Sequence, residues 1–108
     1  MKYIAVFLTV ILLASCQSNL PKSDETSILI KEDANIYMED NILYIENGMT
    51  VNDVISFIES IDGSKQIYTG MTNSKTPKEK QEFFENEYLL VTSESGKYRE
   101  YYAIHFMD

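Results

Sequence analysis

The chain has 108 residues, with seventeen acidic side chains against nine basic ones, a net charge of −8 and a single cysteine. That length supports one small domain with one modest core. The acidity argues against nucleic acid and anionic lipid surfaces as partners, since both would repel it. A lone cysteine excludes an intramolecular disulfide framework, so the fold must be held by packing.

In chain order, the first segment is the most distinctive. Lys2 precedes an almost unbroken apolar run from Ile4 to Ala14, and Leu13-Ala14-Ser15-Cys16 closes it. The run is too short to cross a hydrocarbon core, which needs about 20 apolar residues. A charged start, a short apolar core and a small-residue cleavage site are the marks of an export signal. The segment resembles a bacterial lipoprotein signal peptide, whose four-residue box ends in the cysteine that is lipidated.

That resemblance implies removal of residues 1–15, a palmitate-type membrane anchor on Cys16 and a place in the bacterial cell envelope. Residues 16–27 then read as a lipidated flexible tether, being rich in Ser, Asn, Pro and charge, and 28–108 as a single domain. Lys2 is the only charged residue among the first fifteen, so the remaining chain keeps all seventeen acids against eight basic residues. In its general flavour the sequence also resembles low-GC lipoproteins of gut Bacteroidetes, whose surface-exposed members carry acids directly after the lipidated cysteine. Here Gln17-Ser18-Asn19-Leu20 intervenes before Asp24-Glu25, which favours the periplasmic face of the outer membrane if the envelope is Gram-negative.

Ile28-Leu29-Ile30 reads as a leading strand. Ile36-Tyr37-Met38 and Ile42-Leu43-Tyr44-Ile45 flank Glu39-Asp40-Asn41 as a hairpin. A helix is expected from Thr50, an N-cap with Asp53 three residues on, through Ile61. Val51, Val54, Ile55, Ile58 and Ile61 form its apolar stripe, and Gly63 stands as a left-handed stop. Gln66-Ile67-Tyr68-Thr69 is a short strand ended by Gly70. Thr76-Pro77-Lys78-Glu79 has the residues of a helix start, so one or two turns to about Phe84 are expected, with Phe83 or Phe84 pinning the segment. The alternative there is an irregular excursion.

Tyr88 to Thr92, a Ser93-to-Lys97 turn and Tyr98 to Phe106 make a closing C-terminal hairpin. Alternation places Tyr98, Glu100, Tyr102, Ile104 and Phe106 on the face turned toward the helix. The expected class is α+β: a small, mostly antiparallel sheet with one main helix packed on one face.

Two stretches carry a second resemblance. Asn47-Gly48-Met49-Thr50-Val51-Asn52-Asp53-Val54-Ile55 and Glu87 to Gly96, followed by Tyr101-Tyr102-Ala103-Ile104, are similar to small accessory modules repeated in bacterial cell-surface and secreted proteins, including polysaccharide-degrading multidomain enzymes. The resemblance covers about residues 41–106 and implies a non-catalytic spacer, adhesion or docking module. It carries over no functional residues.

Reactive chemistry is sparse. His105 is the only histidine, whereas zinc sites want three or four nitrogen, sulfur or acid ligands, and no metal or cofactor is expected. Asp53, Glu59, Asp62 and Glu100 are spread over different elements, unlike a glycosidase pair, and no acidic turn has the spacing of a calcium loop. Tyr37, Tyr68, Tyr98 and Tyr101 are the candidates for stacking on a sugar or a protein, against cross-strand packing as the plainer use of each. The expectation is a non-enzymatic envelope lipoprotein that binds or scaffolds a protein or glycan partner. The alternative is a small inhibitor or immunity-type lipoprotein that blocks an envelope-acting enzyme through its acidic surface.

Overall fold

The computed structural model describes residues 21–107; the export signal and Cys16 lie outside the described residues. The elements run β1 (Ile28–Ile30), β2 (Tyr37–Glu39), β3 (Ile42–Ile45), α1 (Val51–Ser56), β4 (Ile58–Ser60), β5 (Ile67–Met71), β6 (Tyr88–Thr92) and β7 (Arg99–Phe106). β1 and β4 pair as a two-stranded antiparallel ribbon, and the other five strands form a sheet in the order β2-β3-β7-β6-β5. Only β3 and β7 run parallel among these neighbours. The architecture is mostly sheet with one short helix.

The β2–β3 hairpin closes through Asp40-Asn41, with Glu39 opposite Ile42. Asp40 takes a φ of 54°, the left-handed conformation that a two-residue hairpin loop requires and that aspartate tolerates. The start of α1 is a reciprocal cap. Thr50 Oγ1 accepts from the Asp53 N–H at 3.1 Å, and Asp53 Oδ2 accepts from the Thr50 N–H at 3.0 Å.

The helix is shorter than the apolar stripe predicts. It stops at Ser56, and Ile58 to Ser60 extend as β4 against β1. Phe57-Ile58 is a branched and aromatic pair that suits a strand as well as a helix, and β1 supplies the backbone partners that decide it. Ile58 is buried as the stripe requires, but Ile61 is 52% exposed. Gly63 adopts a φ of 77° in the turn after β4, its N–H bonded to Ser60 O, so it ends a strand and not a helix.

β5 continues through Gly70 to Met71, where the sequence reading ends it at Gly70. Residues 72–87 hold no helix, so the irregular alternative is the observed one. Backbone bridges Met71–Pro77 and Thr50–Glu82 tie this stretch to β5 and to the start of α1. Phe83 pins it to the core at 0% exposure, while Phe84 stays 47% exposed.

Alternation divides the five-stranded sheet into two faces. Leu43, Ile45, Leu89, Val91, Tyr102 and Ile104 are all buried on one, in a cluster with Val51, Val54, Ile28, Ile58 and Phe83. This is the inner face expected for Tyr102, Ile104 and Phe106; Tyr98, assigned to the same side, lies beyond the strand and is 55% exposed.

The segment read as the end of the tether is docked. Ser23 O accepts from Ser95 N–H, Ser27 O accepts from Ile61 N–H, and Thr26 O accepts from the Tyr102 hydroxyl at 2.9 Å. Gln66 Nε2 donates to the carbonyls of Glu25 and Ser27. The folded unit therefore begins near Ser23 instead of at residue 28.

Candidate functional site

The outer face of the sheet gathers aromatic side chains because the register places them there. Tyr37 pairs with Tyr44 across β2–β3, and Tyr44 pairs with His105 across β3–β7. The two tyrosine rings stack with centroids 4.6 Å apart at 12°, and the His105 ring continues the row 6.0 Å beyond Tyr44. Offset ring pairs of this kind hold one another in fixed orientation.

Glu85 fixes the end of that row. Its Oε1 lies 2.7 Å from His105 Nδ1 and its Oε2 accepts from the Phe106 N–H at 2.7 Å. Those bonds, the backbone one foremost, hold the Glu85 carboxyl below its ordinary pKa. The pair orients an imidazole. Among the described residues no serine, threonine or cysteine is hydrogen-bonded to the ring, and no cluster of three His, Cys, Asp or Glu side chains could hold a metal.

Along β7, His105 and Tyr101 are four residues apart, or about 13 Å at strand rise. Tyr101 meets Tyr88 edge-on at 5.9 Å, and Lys75 Nζ lies 4.9 Å from the Tyr101 ring centroid and 5.2 Å from that of Tyr88. A cation over two rings restrains both, an interaction worth about 0.5–1 kcal/mol at an exposed site.

A second constellation sits in the 72–87 stretch. Lys78 Nζ pairs with Glu87 Oε1 at 3.0 Å, with only 4% and 10% of the two side chains exposed. Glu87 Oε1 also accepts from the Phe84 N–H at 2.7 Å. Lys78 reaches this point by laying its stem over Gly70, where no side chain intervenes. Thr72, Pro77, Lys78, Glu79, Lys80, Phe84 and Glu87 line a groove of about 340 Å³ there.

The four tyrosines singled out from the sequence do not converge. Tyr37 and Tyr101 share the outer face, whereas Tyr68 packs against the core with its hydroxyl donating to Gln66 Oε1 at 2.7 Å. Burial, and then the charge of Glu59, raises the pKa of Tyr68. Tyr98 stands apart, near the β6–β7 turn. Tyr44 and Tyr88 join the face instead. The hairpin at Asp40-Asn41 could have found Tyr44, since pairing across it sets Tyr37 opposite Tyr44. Lys78 and Glu87 carried no sequence signal beyond charge. Comparison with protein-family models, curated proteins and solved structures finds no match.

Proposed function

We propose that this chain is a non-catalytic envelope lipoprotein, anchored through lipid on Cys16, whose small α+β domain binds a protein or glycan partner. In this reading α1 and the β1–β4 ribbon close the inner face of the sheet, and the outer face is left for recognition. The observation that carries it is the Tyr37–Tyr44–His105 row, three rings held in order by cross-strand pairing and locked at one end by Glu85. Rigid amphipathic rings lose little freedom when a ligand covers them, which is why tyrosine is enriched where partners bind.

The test is crosslinking of the lipidated protein in its native membrane, alongside a glycan array probed with the same protein. A single dominant partner, or a saturable glycan, that is lost on Tyr37→Ala together with Tyr44→Ala supports the reading. A Cys16→Ala form that loses the protein partner shows that anchoring is needed as well. Absence of both a partner and a glycan overturns the proposal.

A further inference from the structure

We propose that the groove beside β5 is a binding site for a neutral saccharide unit, a pyranose ring seated against Phe84 with its hydroxyls on Lys78 and Glu87. This deepens the binding-module reading by naming a ligand class and a location away from the tyrosine row. The starting point is the Lys78–Glu87 ion pair, nearly withdrawn from solvent at 3.0 Å. Burying two charges costs about as much desolvation as their attraction returns, and a well-packed apolar pair is often at least as stable. Stability alone is therefore a poor reason for the pair to be there.

Its unused valences point to a ligand. Among the described residues, Glu87 Oε1 takes both the Lys78 ammonium and the Phe84 N–H, while Glu87 Oε2 has no protein partner; no buried polar atom is left unpartnered, so Oε2 is open to solvent. Glu87 is the ammonium's only ionic partner among those residues, and the ammonium also lies 5.9 Å and 5.2 Å from the Phe83 and Phe84 ring centroids. A sugar would therefore take the Phe84 face turned away from Lys78 and meet the ammonium at its edge beside the open carboxylate oxygen. A donor and an acceptor this close match the vicinal hydroxyls of a sugar, each of which can donate and accept.

Charge narrows the class. Lys78 is neutralised by Glu87, and Glu79 and Lys80 add one charge of each sign to the lining. An anion or a cation would meet its own sign as readily as the opposite one. A purely apolar ligand would strand the ion pair without water or hydroxyls. A ligand with hydroxyls on its rim and C–H groups on its face satisfies both parts of the groove. Phe84, 47% exposed, offers the aromatic surface, and Pro77 lines the groove with it. The volume of about 340 Å³ lies at the small end of ligand pockets.

The experiment is an amide-resolved NMR titration of the full lipidated chain in detergent with glucose, cellobiose and N,N′-diacetylchitobiose. Saturable shifts at Phe84 and Glu87 with at least one of the three are expected. Phe84→Ala, at an exposed position that leaves the core intact, should weaken that binding tenfold or more, and Leu29→Ala, an exposed change on β1 outside both the groove and the tyrosine row, should leave it unchanged. Flat titrations with all three sugars overturn the proposal, as do shifts that survive Phe84→Ala. Shifts that vanish on Tyr37→Ala instead would overturn the groove while supporting the tyrosine row. Loss of both, together with an empty crosslinking result, would remove the binding-module reading itself.

Discussion

Gly70 is a residue whose absence of a side chain builds its surroundings. A Cβ placed there would lie 2.6 Å from Val51 Cγ2 and 3.1 Å from Lys78 Cδ. Val51 is at the first turn of α1 and has little room to retreat, being 7% exposed. Gly70→Ala should therefore destabilise the fold by about 1–3 kcal/mol, the usual cost of overpacking. Val51→Ala removes the atom in the way, so the double variant should be more stable than the two single losses added together. Chemical denaturation of the four forms measures that coupling.

Tyr102 makes a different kind of residue-level prediction. Burial first, and the Glu100 charge next, push its phenol up to about 12 from an ordinary value of 10.0. A raised folded pKa means that the unfolded chain releases this proton sooner. Its contribution is whole below pH 10 and is lost as pH climbs from there through the folded value. Thermal midpoints should fall on that alkaline limb, and Tyr102→Phe should flatten it. The same change removes the hydroxyl donated to Thr26 O, at a cost of about 1 kcal/mol at neutral pH.

At the scale of elements, what could be read from the sequence was what nearby residues decide. The Thr50–Asp53 cap needs only four consecutive residues, and the β2–β3 turn needs an acid able to take a positive φ. Thr50→Ala should cost about 1 kcal/mol, because it strips one partner from the first-turn amides. Hydrogen exchange should show the loss concentrated at Asp53 and its neighbours. The end of α1 could not be read the same way. Val51, Val54, Ile55, Ile58 and Ile61 satisfy a helical period, yet Ile58 lies opposite Ile30, and that partner is twenty-eight residues upstream. Local periodicity carries no trace of so distant a strand. The groove was hidden for the same reason, since Lys78 and Glu87 meet only because the stretch between β5 and β6 folds back over Gly70.

Across the whole molecule, the segment before β1 is strapped to one end of the five-stranded sheet. Ser23 and Asp24 are bonded to Ser95 in the β6–β7 turn, and Ser23 Oγ also donates to Asp62 at 2.5 Å. The Tyr37–Tyr44–His105 row lies toward the other end of β7, whose eight residues span about 25 Å. With the proposed lipid on Cys16, Ser23 lies seven residues further along the chain, a reach of at most about 25 Å. The β6–β7 turn should then sit close to the bilayer and the tyrosine row should point away from it, presented to partners.

Paramagnetic quenching from a lipid-headgroup spin label would measure this. The amides of Ser93 to Lys97 should be broadened far more than those of Tyr44 and His105, and Ser23→Ala with Asp24→Ala should even out the difference. Acid offers a second handle on the same strap. The Ser23, Ser60 and Ser64 hydrogen bonds, in that order, hold the Asp62 carboxyl well below its ordinary value of 3.8. A depressed carboxyl contributes fully above that ordinary value, and the contribution is lost as pH falls below it toward the folded one. The broadening pattern should therefore persist at pH 5 and blur only in stronger acid. Equal broadening at both ends of the sheet at pH 7 would mean that the strap does not set the orientation.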